Sequence, residues 1–209
     1  MTSLATPTVI SAEAIAHLSA RDPVLAGVIA SVGVFEPPHE PDLWWSLVDA
    51  IVSQQLSVKA AATIAGRVAA LGSNGSRPSP ETILATADDT LRACGLSRAK
   101  VVYVKDLAAR WSDGRLNPAR LVELQDGEVV AELIAVKGIG RWTAEMFLIF
   151  TLGRPDILPV DDLGLRTAVH RAYNLAERPA AAEVARIGER WKPFSSAATL
   201  YLWRSLKNG

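Results

Sequence analysis

Two glycines set two residues apart, in Lys137-Gly138-Ile139-Gly140, interrupt an otherwise helical run and constrain this chain more than any other feature. Before them Val129, Leu133 and Val136 recur at helical spacing, and after them Thr143, Phe147 and Phe150 resume it. The spacing predicts two helices joined by a tight corner. Glycine accepts positive φ and permits close backbone approach, so the N–H groups of such a corner, with the N-terminus of the next helix, can face an anionic oxygen. Lys137 and Arg141 add positive charge on either side. The same pattern also describes an ordinary αα-corner, because glycine turns between helices are common.

Helix-start signals recur along the chain. Asp22-Pro23, Pro41-Asp42 and Ser79-Pro80-Glu81 read as starts with Pro in or near the first turn, and Ser97 can cap VVYVKDLAARW. Leu43, Leu47, Ala50, Ile51 and Gln54 follow helical spacing, as do Val101, Val104, Leu107, Ala108 and Trp111, while no segment alternates with period two between hairpin turns. The chain therefore reads as all-α, with about ten short helices of about three turns each. Gly72 to Pro80 is the only long turn-rich stretch and reads as an exposed loop.

Composition narrows the chemistry. With 49% apolar and 21% charged residues and six Trp, the 209-residue chain has the makings of a packed core and lacks those of a disordered one. A lone Cys94 can neither close an internal disulfide nor supply a four-thiolate site, and His17, His39 and His170 show no zinc spacing. No metal is expected in catalysis, although oxygen-only ion sites stay open. No apolar run approaches the ~20 residues of a membrane span, and MTSLATPTVI lacks the basic segment of a secretory signal. A cytoplasmic, nucleoid-associated location is expected. The net charge of zero hides an asymmetry: residues 1–90 hold four basic and nine acidic side chains, residues 91–209 eighteen and thirteen. A polyanion would prefer the second half.

Asp161-Asp162 follows Leu158-Pro159-Val160 at the start of a predicted helix containing Leu165, Ala168 and Val169. A helix start needs one cap. The other carboxylate, about twenty residues beyond a phosphate-binding corner, is what hydrolysis beside a nucleic-acid backbone requires. Spacing alone does not say which acid does which, and it leaves open that both merely solvate the helix start.

LIAVKGIGRWTAEMFLIFTLGRPDILPVDDLGLRTAV resembles the helix-hairpin-helix DNA glycosylases of the endonuclease III superfamily, in particular the 3-methyladenine DNA glycosylase II branch. WWSLVDAIVSQQLSVKAAATIAGRV, GLSRAKVVYVKDLA and ERWKPFSSAATLYLWRSL resemble that branch in the same order, so the likeness covers residues 40–206. It implies two helical subdomains, 34–155 with the hairpin and 1–33 with 156–209, and a DNA-binding cleft between them. It places the catalytic carboxylate at Asp162, with Asp161 as the fallback, and a base-lining aromatic at Trp203. Trp142 stands where strand-cleaving relatives carry a nucleophilic Lys; an indole cannot form a Schiff base, so a monofunctional enzyme without lyase activity is expected.

The expected reaction is eversion of an alkylated, cationic purine of the 3-methyladenine type followed by hydrolysis of its N-glycosidic bond, as in base excision repair. Trp142 and Trp203 would offer aromatic faces to the cation, with Met146 and Tyr201 as weaker lining candidates, since residues of these types at helical spacing are more often core. DNA contacts are expected from Lys137, Gly138, Ile139, Gly140 and Arg141, aided by Arg98 or Lys100. SQQLSV sits where related enzymes present a wedge, so Gln55 or Leu56 can fill the gap left by the base, with Gln54 nearby; alternatively Leu56 is core and the glutamines a polar cap. The resemblance admits a monovalent cation on the hairpin carbonyls and requires no organic cofactor; with Cys94 as the only cysteine, no iron–sulfur cluster is expected. The implied partner is double-stranded DNA containing damaged bases, bound by a monomer. Two other functions share most of these features, a glycosylase for another lesion class and a non-catalytic DNA-damage binder.

Overall fold

The structure is a computed structural model that describes residues 9–207. All regular structure among them is helical: α1 (Ala12–Arg21), α2 (Pro23–Val32), α3 (Leu43–Ser53), α4 (Val58–Ala69), α5 (Pro80–Ala85), α6 (Asp88–Ala93), α7 (Arg98–Ser112), α8 (Pro118–Glu123), α9 (Asp126–Ile134), α10 (Arg141–Phe150), α11 (Leu163–Ala172), α12 (Ala181–Gly188) and α13 (Ser195–Ser205), with a 3₁₀ turn at Glu189–Trp191. The all-α reading holds, with more and shorter helices than expected. The start signals act as read. Asp22 and Ser79 cap helices that carry Pro at their first position, and the Ser97 hydroxyl accepts the Lys100 N–H. At Pro41-Asp42 the cap is Asp42, which leaves Pro41 outside the helix. None of these helices is long and apolar enough to cross a membrane.

The described chain forms two compact units, one made of residues up to Pro41 with those from Leu148 onward, the other of Asp42–Phe147. These limits lie inside the expected 34–155, and hydrogen bonds explain the difference. Residues 34–41 fasten to the end of α10, where the Phe150 carbonyl accepts His39 Nδ1–H at 2.9 Å and the Glu40 N–H at 3.3 Å. Arg154 and Pro155 are stitched to the start of α13, since their carbonyls accept the Ser196 Oγ–H at 2.7 Å and the Ser196 N–H at 3.0 Å.

In the first unit Leu18, Leu25, Leu165, Val169, Val184, Trp191, Tyr201 and Leu202 form a closed core. Each large side chain of this kind contributes about 1.5–3 kcal/mol on burial. One charged group sits among them. Asp22 is fully buried, yet its Oδ1 accepts the Val24 and Leu25 N–H groups, and its Oδ2 accepts the Tyr173 hydroxyl and, at 2.9 Å, the Trp191 indole N–H. Burial alone would raise the Asp22 pKa, but those donors together with the Arg190 charge outweigh it and hold the carboxyl below its ordinary value.

A carboxyl with a depressed folded-state pKa adds stability above its unfolded pKa and loses it as pH falls through the folded value. Asp22→Asn is therefore expected to cost about 2–3 kcal/mol at neutral pH, because one buried oxygen then becomes a donor facing donors. Denaturant melts should show the gap between wild type and variant closing as pH drops below about 4. A gap independent of pH would mean that the carboxylate charge contributes nothing.

In the second unit α3 packs on α4 and α7, and α5 on α7, and Leu47, Ile51, Ile83, Leu107, Leu121 and Leu133 are buried. Trp44 and Trp45 are core residues here. The Trp44 indole N–H donates to the Pro78 carbonyl at 2.8 Å and its ring meets Trp111 edge-on, so the 72–80 loop is anchored at buried Pro78 instead of being exposed throughout.

Candidate active site

In the first unit the carboxylate of interest stands at a helix start. Leu158-Pro159-Val160 turns tightly, the Asp162 N–H donating to the Pro159 carbonyl at 2.9 Å, which leaves Asp162 at the N-cap of α11. Its Oδ1 accepts two N–H groups, from the Leu165 backbone at 2.6 Å and from the Trp203 indole at 2.8 Å. The division of labour expected between the paired acids is thus corrected: Asp162 is itself the cap, while Asp161 is exposed. The cap and indole bonds together aim one half-buried carboxylate. Gly164 leaves room for this pairing. A Cβ there would lie 3.0 Å from Asp162 Oδ1 and 3.3 Å from the Trp203 indole nitrogen.

The indole is aimed in turn by α13. At the start of that helix the Ser195 N–H and hydroxyl donate to Asp156, and Ser196 Oγ accepts the Ile157 N–H at 2.9 Å. The loop leading to Asp162 and the helix carrying Trp203 are therefore fixed to each other. Phe150 completes the group, its ring lying within 15° of parallel to Trp203 at 6.1 Å. Sequence reasoning used Phe150 only as a helix-periodic residue, and nothing in its spacing separates it from core Phe147. Tyr201 goes the other way. It is wholly buried in the first core, edge-on to Phe35, so the structure places it in packing and not on an accessible wall.

In the second unit the glycine corner joins α9 to α10. Gly138 has φ +82°, and a Cβ on it would fall 2.2 Å from the Tyr103 ring, so both conformation and space demand glycine. Gly140 has neither constraint, and this corrects the expectation that both glycines serve positive φ. Two of the corner's N–H groups are already used: Lys137 donates to Asp106 Oδ2 at 3.0 Å and Ile139 to the Val136 carbonyl at 3.1 Å. Burial pushes the Asp106 carboxyl up, but the Lys137 N–H and the Arg110 guanidinium hold it below its ordinary value. The Ile139 side chain is buried as an anchor, which leaves Lys137, Gly138, Gly140 and Arg141 as the exposed part of the predicted contact set. Trp142, half exposed, and half-buried Met146 share one face of α10 at i, i+4 spacing.

The turn at 54–57 displays Gln55 and Leu56 to solvent, so the alternative of a core Leu56 is set aside. Val58 beside them is 88% exposed, an apolar group that the sequence pattern did not single out. Gln54 points elsewhere, its side-chain amide donating to the Gly138 carbonyl at 2.8 Å. Lys100, expected among phosphate contacts, instead spends its ammonium on the Val52 and Gln54 carbonyls, both at 2.7 Å, and burial lowers its pKa. The second of the two expected auxiliaries, Arg98, is exposed at the start of α7.

No group of three or more His, Cys, Asp or Glu among the described residues is placed to hold a metal ion. At the corner the carbonyls of Leu133, Val136, Gly138 and Gly140 each accept a hydrogen bond from the protein itself.

Relatives with the same architecture give this arrangement its context. A DNA-3-methyladenine glycosylase 1 of Schizosaccharomyces pombe is 35% identical over 195 residues, covering 91% of this chain and 86% of its own. The solved structure of a 3-methyladenine DNA glycosylase from that yeast, in complex with abasic DNA, superimposes with a TM-score of 0.85 over 93% of this chain and 97% of its own, at 35% identity. A DNA-3-methyladenine glycosidase from Bacillus halodurans gives a TM-score of 0.83 at 37% identity, covering 94% of this chain and 90% of its own. Residues 48–193, which hold the corner, α10, the tight turn and Asp162, match the family profile of the HhH-GPD superfamily base excision DNA repair proteins, and this chain belongs to that family.

Proposed function

We propose that the protein is a monofunctional DNA glycosylase that acts as a monomer on double-stranded DNA, everts alkylated cationic purines and hydrolyses their N-glycosidic bond. The observation that carries this reading is the Asp162 carboxylate, aimed by the Leu165 N–H and the Trp203 indole in a chain of this family. The exposed corner residues, with Lys137 and Arg141, grip the phosphate backbone, and Gln55 or Leu56 fills the stack when the base leaves it.

A cationic base is attracted to aromatic faces by roughly 0.5–2 kcal/mol, and Trp203 with Phe150 provides such faces. Breaking the C1′–N bond sends its electron pair to the base, which leaves neutral, while positive charge develops on the deoxyribose. Asp162 stabilises that charge and orients the attacking water, whose oxygen bonds to C1′ and whose proton passes to the carboxylate or to solvent. The products are a free base and an abasic site. Since no amine stands at position 142, no covalent sugar adduct forms.

The test is incubation with methylated duplex DNA, chromatography of every released base, and borohydride trapping in parallel. Release of 3-methyladenine or 7-methylguanine with no trapped adduct is expected. Release of neutral lesions alone would favour a glycosylase of another class, no release at all a damage binder, and a trapped adduct would refute the monofunctional assignment.

A further inference from the structure

The turn that displays Gln55 and Leu56 is tied twice at one residue. Through its backbone carbonyl Gln54 accepts the Lys100 ammonium of α7 at 2.7 Å, and through its side-chain amide it donates to the Gly138 carbonyl in the glycine corner at 2.8 Å. Lys100 also reaches the Val52 carbonyl, so it closes the C-terminal end of α3, where unpaired carbonyls gather negative potential. Directly after these ties the chain holds Gln55 at φ +57°, a conformation that a residue with a side chain adopts uncommonly. The turn has little else to hold it. Gln55, Leu56, Ser57 and Val58 are all exposed, and within the turn the Leu56 N–H makes only a long bond of 3.3 Å to the Ser53 carbonyl.

We infer that Gln54 and Lys100 are positioning residues, which lock the turn that enters the base stack to the corner that grips the phosphates, so that insertion and grip act as one rigid piece. This rests on the wedge and corner roles proposed above. It takes both Gln54 and Lys100 out of the DNA contacts. Rigid coupling matters because filling the stack must offset the cost of unstacking a base, and a turn free to swing would yield before the base did.

Single-turnover excision of one 7-methylguanine, placed either opposite its normal partner or opposite an abasic site where stacking is already loosened, separates the possibilities. Gln54→Ala should slow release from the paired duplex about three- to tenfold, the loss that goes with one hydrogen bond, and slow the abasic-opposed substrate less. Lys100→Met should show the same bias and Lys100→Arg should restore the paired rate. A phosphate contact would lower the slope of log affinity against log salt on undamaged duplex by about one, as is expected of Lys137→Met; Lys100→Met should leave that slope unchanged.

An equal slowing of both substrates, a wild-type rate for Gln54→Ala, or a reduced slope for Lys100→Met would overturn the inference. Should Lys100→Met not fold, the half-exposed Gln54→Ala still decides the matter through the substrate comparison. A Gln55→Ala, Leu56→Ala double variant distinguishes the two levels of the argument. No bias in that variant sinks the wedge and the clamp with it, whereas bias there beside an indifferent Gln54→Ala sinks the clamp alone.

Discussion

Asp162→Asn is expected to abolish most base release, by about a thousandfold or more in single-turnover rate, while the protein still folds and still binds DNA. The variant keeps an oxygen that can accept the Leu165 N–H and the Trp203 indole N–H, so the N-cap of α11 and the setting of the indole survive. On the proposed mechanism, what goes is the negative charge that stabilises a developing sugar cation, an effect for which one preorganised group is commonly worth several kcal/mol. Thermal melts and duplex binding near wild type, together with near-zero release from methylated DNA, are the expected results. Release near the wild-type rate would remove Asp162 from the mechanism. Asp161→Asn is the internal control: Asp161 is exposed and does not cap the helix, so its charge should matter little.

Gly138→Ala is expected to damage both the stability of the second unit and its grip on DNA. The added methyl would sit 2.2 Å from the Tyr103 ring, and it would do so on a backbone with φ +82° that costs an L-residue roughly 1–2 kcal/mol. Displacing a packed ring adds a further 1–3 kcal/mol or so. A fall in stability of about 3 kcal/mol and a loss of duplex affinity of tenfold or more follow, because the corner that carries Lys137 and Arg141 must shift. Gly140→Ala meets nothing within 4 Å and should leave the melting temperature nearly unchanged. Combining Gly138→Ala with Tyr103→Ala should recover the steric part of the loss relative to Tyr103→Ala alone, and not the conformational part. Equal melting temperatures for the two glycine variants would show that Tyr103 does not set the corner.

The division between the legible and the illegible follows the range of the interactions. Ser97, Ser79 and Asp22 were readable as helix starts because a cap and the N–H it accepts lie two or three residues apart, and the corner at 137–140 was readable because two glycines broke a local period. Asp161-Asp162 was found for the same reason. Spacing did not say which acid would be aimed; the family resemblance pointed to Asp162, and how it is aimed depends on an indole 41 residues further on and on the turn geometry at Pro159. Phe150 shows the same limit: its spacing equals that of a core residue, and only contact with Trp203 marks it. Lys100 and Tyr201 were left between alternatives because a lysine and a tyrosine at helical spacing carry no local sign of what they will meet.

By itself, then, the order of residues determined the helices, the corner and the acidic pair, because each is a contest among neighbours a few positions apart. Only the tertiary structure decided which glycine of the corner has no room for a side chain, how Asp162 is held ready and which basic group is spent inside the protein. Those outcomes turn on packing partners such as Gly138 for Gln54, 84 residues distant in the chain, and Val52 for Lys100, 48 residues distant, and such partners meet only when the cores close.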